Sequence, residues 1–295
     1  MMDVLLKKIK HIVSDGDWDG VVATALLIRF ARKHGIEPII EYPHPAELKE
    51  RSFENVVAVE ITPTKTKVVN SVIIDHHEKI EGFGNIWFFD ENARSVAELV
   101  ARIVKETLSR DLMEAVSNID QGLWDANELT KTLFLAFQVD PGRFPRLEIT
   151  YRLANGDEKW VIEWADKKSH EAKGILLRAE KLAKEAEELI PNSDIVYFIY
   201  TLRKDDGARR LALLKLERLH KIAISLGVEN NRFVTGTIAT YNKDIDLREI
   251  FEKLRKEGYS AGGRRNVGGF QARNEISVEK VIKDLREVFR RWLEK

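Results

Sequence analysis

Carboxylates and imidazoles recur in the first hundred residues at positions where one divalent cation could use several of them. Asp15, Asp17 and Asp19 alternate in the run Asp15-Gly16-Asp17-Trp18-Asp19-Gly20. Glu60 closes the apolar run 55–60, Asp75 is followed directly by His76 and His77, and Asp90 and Glu91 follow the run 86–89. If these runs are parallel strands, their carboxyl ends share one sheet edge, the edge on which open α/β folds bind ligands. Carboxylates gathered there repel and raise one another's pKa, so such a cluster calls for cations. Carboxylate oxygen with imidazole nitrogen, and no thiolate, suits Mn²⁺ or Mg²⁺ better than Zn²⁺ or Fe²⁺. Asp-Gly is also a turn former and Asp a good helix N-cap. For Asp19-Gly20 alone, capping is the simpler account; recurrence at successive strand ends is what favours a metal site.

The elements that must position these groups follow from hydrophobic periodicity. Strands are expected at 9–14, 38–42, 55–60, 71–75 and 86–89, with a helix at 20–34 closed by Gly35. Residues 94–137 read as helices. Strands alternating with helices predict an α/β fold with a mostly parallel sheet. Residues 160–190 carry one long charged amphipathic pattern, read as a connector helix with a solvated face. A second α/β set follows: strands at 194–200, 222–226 and 233–240, helices at 208–220, 247–257 and 278–293, and a glycine-rich loop at 262–270. The expected domains are 1–160 and 191–295, joined by a connector at 161–190.

At 295 residues, the chain has room for about two domains. Lys+Arg and Asp+Glu both number 48, giving a net charge of zero. That excludes nucleic-acid binding through a global positive field and leaves only local basic patches. The absence of cysteine excludes disulfides, thiolate zinc sites, iron–sulfur clusters and a cysteine nucleophile. No run of about 18 apolar residues indicates a membrane span, and residues 1–8 show no signal-peptide pattern. A soluble, cytoplasmic protein is expected.

Several of these segments resemble the DHH phosphoesterase family. Asp17-Trp18-Asp19-Gly20-Val21-Val22-Ala23 looks like that family's first motif, with Asp15 two residues earlier. Ile74-Asp75-His76-His77 is similar to its namesake motif, the run 95–100 (SVAELV) to the helix after it, and the run 115–120 (AVSNID) to the fourth motif, whose final Asp is a metal ligand. Gly262-Gly263-Arg264-Arg265-Asn266-Val267-Gly268-Gly269-Phe270 resembles the glycine loop of the DHHA1 domain, so the resemblance covers nearly the whole chain. Three positions depart from the pattern. Glu60 stands where the family has a bridging Asp, Arg264 where the loop has His, and the run 239–242 (ATYN) lacks an Arg-Ser pair.

The resemblance implies a parallel-sheet DHH domain joined by a long helix to a smaller α/β DHHA1 domain. It implies phosphodiester hydrolysis by two-metal activated water attack, with two Mn²⁺ ions and Mg²⁺ as a substitute. Asp15, Asp17 and Glu60 would hold one ion, and Asp19, Glu60, His76 and Asp120 the other. Asp75 would orient a ligand imidazole and His77 would face the scissile phosphate. Gly262, Gly263, Arg264, Arg265, Asn266 and Gly268 would hold a terminal phosphate or nucleotide. Among relatives, archaeal RecJ-like and helicase-associated exonucleases fit best: single-stranded DNA or RNA as substrate, mononucleotides as product, 3′→5′ polarity, and a helicase or other replication and DNA-repair proteins as partners. Two alternatives stay open, a nanoRNase or small-nucleotide phosphodiesterase and a non-catalytic replication or repair partner. The sequence leaves the oligomeric state open. Lys204, Arg209 and Arg210 are read as groove-lining or as a solvated helix face. Trp18, Trp87 and Phe270 are read as rings that could stack bases, with core packing preferred for Trp87. Replacing Asp19 by Ala is expected to remove a ligand and leave the fold intact.

Overall fold

The computed structural model describes residues 2–44, 47–49, 51–61, 67–77, 83–140, 142–202 and 207–293. The chain divides into two compact units, Met1–Ala172 and Lys173–Lys295.

The first unit runs α1 (Met2–Lys8), β1 (His11–Ser14), α2 (Trp18–Lys33), β2 (Ile39–Glu41), β3 (Ser52–Glu54), β4 (Val57–Val59), β5 (Lys67–Val69), β6 (Val72–Asp75) and β7 (Ile86–Phe89). Helices α3 (Val96–Val104), α4 (Arg110–Asp120), α5 (Glu128–Val139), α6 (Arg143–Ala154) and α7 (Glu158–Glu171) complete it. The main sheet has the order β2-β1-β4-β6-β7, and every pairing in it is parallel. A β-strand sends alternate side chains to opposite faces, and a parallel sheet is buried on both. Accordingly Ile12, Val57, Val59, Val72 and Ile74 share a core with Val22, Leu26 and Ala97 of the helices. Val13, Ala58 and Ile73 instead pack with Phe53, Val56, Ile61 and Val68, around the small parallel pair β3–β5. The apolar runs of the sequence are continuous because neither face meets water. Helix α2 buries all but a few of its residues, at roughly 1.5–3 kcal/mol for each large aliphatic side chain removed from water.

The second unit runs α8 (Lys173–Lys184), β8 (Glu187–Glu188), β9 (Ile195–Thr201), α9 (Ala208–Leu219), β10 (Ile222–Glu229), β11 (Arg232–Ala239), α10 (Arg248–Lys256), β12 (Tyr259–Gly263), β13 (Val267–Ala272) and α11 (Val278–Leu293). Its sheet has the order β12-β13-β11-β10-β9-β8, with β9 and β10 parallel and the other pairs antiparallel. Both expected α/β sets are therefore present.

Two expectations are corrected, and one helix is added. The long connector helix is two helices, because its halves serve different cores: Val161 and Ala165 of α7 join the core of the first unit, while Ile175 and Ala179 of α8 are buried in an element that packs on α9. The glycine-rich loop 262–270 is a β-hairpin. Helix α6 lies in a stretch to which no element was assigned; Pro145 is tolerated in its first turn, where proline lacks only an N–H that has no helical partner.

Among the described residues, no helix is long and apolar enough to cross a membrane.

Candidate metal centre

Strand register places the acids in a row. Ser14, Val59 and Ile74 are paired neighbours on β1, β4 and β6, so the next residues, Asp15, Glu60 and Asp75, line the carboxyl edge of the sheet. The turn after β1 is tight. Asp17 caps α2, its Oδ1 accepting from the Gly20 N–H at 3.0 Å. Position 20 admits only glycine without rearrangement, since a Cβ there would stand 2.3 Å from Ser14 Oγ and 2.5 Å from Asp15 Oδ1. Glu60 leaves β4 with φ +55°, in the left-handed region that non-glycine residues rarely adopt. Such strain costs of order 1–3 kcal/mol and clusters at functional sites.

The imidazoles are held by named partners. His76 Nδ1 donates to the Ala93 carbonyl at 3.0 Å, which presents Nε2 to the acids: 3.2 Å from Asp120 Oδ2, 3.4 Å from Glu60 Oε1 and 3.9 Å from Asp19 Oδ2. None of these contacts is aligned as a hydrogen bond. His77 Nδ1 lies 3.0 Å from Asp75 Oδ1 and 3.3 Å from Glu60 Oε1. The His77 backbone N–H also donates to Asp75 Oδ1, at 2.8 Å. Asp120 ends α4, where the negative pole of the helix dipole opposes its charge.

Donor atoms gather in two groups, each within 4.8 Å: Glu60, His76, His77 and Asp120 in one, and Asp15, Asp17 and Glu60 in the other. Glu60 belongs to both. The second group is one expected ligand set brought together. The first differs from the other expected set, for it includes His77 and leaves out Asp19. Asp19 is 1% exposed, and its two carboxylate oxygens accept from the backbone N–H groups of Val96 at 2.6 Å and Ala97 at 2.8 Å. Ser95 Oγ takes the Glu98 N–H, so the first-turn amides of α3 are satisfied by these two side chains. Asp19 is thus built into the packing of α3, and its removal cannot be structurally neutral.

The electrostatics describe a site short of positive charge. Burial above all, then Asp120 and Asp17, pushes the Asp19 carboxyl well above its usual range, against the two amides that favour its ionised form. Burial, then Asp15, Asp19, Asp17 and Asp120, does the same to Glu60. Burial draws His76 down, but Asp120, the Ala93 carbonyl and Asp19 outweigh it and push the imidazole up to about 9. Glu60 Oε2 is buried with no hydrogen-bond partner. A divalent cation would resolve these conflicts together, and the oxygen-rich donor set with imidazole nitrogen fits Mn²⁺ or Mg²⁺.

Other candidates lie elsewhere. Asp90 is paired with Arg102 at 2.6 Å, which holds its carboxyl below the usual range. Trp18 and Phe270 are core residues, unavailable for base stacking. The Trp18 Nε1–H donates to the Leu133 carbonyl and its ring stacks on Phe137 at 4.1 Å; Phe270 is 1% exposed, against Phe233. Trp87 is partly buried on the core around β3 and β5.

In the second unit, Gly262 and Gly263 lie on β12, Gly268 on β13, and Arg264, Arg265 and Asn266 at the hairpin turn. The Arg264 N–H donates to the Val267 carbonyl at 2.8 Å, while the carbonyls of Arg265 and Asn266 accept from Leu247 and Thr240. A Cβ on Gly268 would stand 2.4 Å from the Phe251 ring. These residues are therefore part of a closed hairpin, and the Arg264 amide is used within it. The side chains of Arg264 and Arg265 are exposed, Arg265 Nη2 donating to the Lys243 carbonyl. Lys204 lies outside the described residues. Arg209 reaches Thr237 Oγ1 at 3.1 Å and lies over the Tyr200 ring, and Arg210 is exposed.

Sequence reasoning also missed Arg146 on α6. Its Cδ lies 3.2 Å from where a Cβ of Gly16 would sit, so it rests on the turn between Asp15 and Asp17. The only sequence signal was the pair of arginines in Arg143-Phe144-Pro145-Arg146.

No protein-family model matches the sequence, and no curated protein matches it. Solved structures share its fold over nearly its whole length. A pGpG-specific phosphodiesterase, PggH from Vibrio cholerae, superposes with a TM-score of 0.55 at 14% identity, covering 94% of this chain and 98% of that one. An exopolyphosphatase-related protein from Bacteroides fragilis gives 0.58 at 13%, covering 99% and 94%. An exonuclease RecJ bound to manganese gives 0.52 at 14%, covering 97% and 91%. The fold is the one that the sequence resemblance implied.

Proposed function

We propose that this chain, which has the fold of the RecJ exonuclease and of a pGpG phosphodiesterase, is a divalent-metal-dependent phosphodiesterase that degrades single-stranded DNA or RNA to mononucleotides in the cytoplasm. The observation that carries the proposal is Glu60: one buried carboxylate common to two donor groups, with an oxygen that no hydrogen bond satisfies. Asp15, Asp17 and Glu60 would hold one ion, and Glu60, His76 and Asp120 the other; Asp19 would fix α3 against this edge. A pair of Mn²⁺ ions, or Mg²⁺ in their place, would polarise the phosphate and supply a nucleophilic water at neutral pH. His76, whose Nδ1 is held by the Ala93 carbonyl, would present Nε2 to the cation. Asp75 orients His77, the group proposed to face the scissile phosphate and exchange a proton there. The exposed side chains of Arg264 and Arg265 would take a phosphate as a fork, with the glycines and Asn266 keeping the hairpin in shape. A helicase or a repair assembly is the partner class that goes with this activity.

A second reading, cleavage of very short substrates, draws support from the fold shared with PggH along nearly the full length of both chains. Incubation of end-labelled DNA and RNA ladders, and of pGpG, with Mn²⁺ separates the two. Degradation of long strands to mononucleotides from the 3′ end supports the first. Turnover confined to about two to five nucleotides supports the second. If Mn²⁺ raises the melting temperature and no phosphodiester is cleaved, the enzyme reading fails in favour of a non-catalytic partner.

A further inference from the structure

A guanidinium in the first unit stands beside the candidate metal centre and, among the described residues, forms no ion pair. Arg146 rests on the Asp15-Gly16-Asp17 turn, its Cδ 3.2 Å from where a Cβ of Gly16 would sit, and its cationic end lies 5.9 Å from the centre of the Phe137 ring. Its Nε is buried with no hydrogen-bond acceptor. Arginine stays charged at all relevant pH, and the Arg146 side chain is partly buried. A buried donor left without an acceptor is costly. Asp15 and Asp17 are near, yet among the described residues Arg146 forms no ion pair with them or with any other carboxylate. Arg143 stands three residues earlier on α6, on the same side of the helix, and it too forms no ion pair among the described residues. The first turn of α6 has no acidic residue and no side-chain cap, although the positive end of a helix dipole disfavours cations and favours anions.

We propose that Arg146, supported by Arg143, is a phosphate-binding fork that grips the non-bridging oxygens of a substrate phosphate next to the Asp15–Asp17–Glu60 group. The ligand class is a phosphodiester or phosphoanhydride anion. The inference rests on the proposed activity only for the identity of that anion; the unsatisfied Nε of Arg146 stands without it.

The test uses the full chain in Mn²⁺ and a fluorescein-labelled phosphorothioate hexathymidylate, followed by anisotropy over a range of salt. In R146Q the affinity should fall about 10- to 100-fold, and the slope of log K against log[salt] should flatten by about 0.7, the share of one phosphate contact on a single strand. R146K should restore the slope but not the affinity, because lysine cannot form the bidentate contact. R143Q should show a smaller loss. All three should keep the Mn²⁺-dependent rise in melting temperature, which a merely structural role for Arg146 would disturb. Wild-type affinity and slope in R146Q, or failure of the wild-type chain to bind the probe, overturns the proposal. If the wild-type chain binds and R146Q does not, while unmodified hexathymidylate survives Mn²⁺ intact, the fork stands and the phosphodiesterase reading falls.

Discussion

Replacing Glu60 by Gln should invert the stability order of the protein according to whether a cation is present. In chelator, Glu60 is a buried carboxyl with an unpartnered oxygen, surrounded by Asp15, Asp19, Asp17 and Asp120. A buried polar group left unsatisfied costs about 1–3 kcal/mol. Glutamine keeps the shape, removes the repulsion and gives its amide hydrogens carboxylate acceptors on several sides. A unit of this size shifts in melting temperature by roughly 2–4 °C per kcal/mol, so E60Q should melt about 2–12 °C above wild type in EDTA. With Mn²⁺ at about a hundred times its dissociation constant, wild type gains about 2.7 kcal/mol, or roughly 5–11 °C on the same scale. E60Q should lose most of that gain, because it removes the one ligand common to both donor groups. Differential scanning calorimetry in EDTA and in MnCl₂ reads both effects. A wild-type melt above that of E60Q in EDTA, or an undiminished Mn²⁺ shift in E60Q, would refute the shared-carboxylate reasoning.

G20A should displace the Asp15 carboxylate, since the added methyl falls 2.5 Å from Asp15 Oδ1; isothermal titration should show Mn²⁺ affinity reduced at least tenfold, with one ion lost first. D19A should destabilise by about 1–3 kcal/mol even in chelator, because it strips the Val96 and Ala97 amides of their acceptor; an unchanged urea midpoint would contradict the capping role. The carboxyl of Glu217 on α9 is pushed up to about 7 by burial, against the attraction of Arg218 and Arg210. A carboxyl raised in the folded state binds its proton more tightly there than in the unfolded chain. The resulting stability is therefore full below the unfolded value near 4.5 and is lost as pH rises through 7. At about 1.36 kcal/mol per pKa unit, lowering the pH from 8 to 5 should stabilise wild type relative to E217Q by up to about 3 kcal/mol. Urea titrations of both proteins at the two pH values measure it, and parallel pH profiles would count against the burial of that carboxyl.

What the sequence revealed about this site was carried by short-range pattern. The apolar runs before Asp15, Glu60 and Asp75 marked strands because both faces of a parallel sheet are covered, and parallel order alone sends their ends to one edge. The role of Asp19 was hidden because its partners, the amides of Val96 and Ala97, are more than 75 residues away; Asp19 next to Gly20 carries no trace of a second helix. The hairpin at β12–β13 read as a loop because glycine weakens every strand signal, even though at Gly268 it is the Phe251 ring that requires it. Arg146 escaped notice because no element was assigned to the stretch that carries it. The break at Ala172 escaped because charge and periodicity continue across it; only the two separate cores that the halves join distinguish α7 from α8.

Several residues that break local rules in the first unit fall together. Glu60 takes a left-handed backbone that suits glycine or asparagine better. Asp120 sits at the end of α4 where a cation would be favoured. Asp19 and Glu60 are acids buried among acids, and Arg146 keeps a buried donor without an acceptor. Scattered over a protein, each would be a small local loss. Here Glu60, Asp19 and Asp120 meet at His76, and Arg146 rests on the Asp15–Asp17 turn. Departures of this kind are expected where function demands them. The signs of the departures are informative: the acids are short of positive charge and the guanidinium is short of a hydrogen-bond acceptor. A divalent cation and a phosphate supply both at once, so the same few residues that weaken the empty fold are those that a metal–phosphate complex would satisfy.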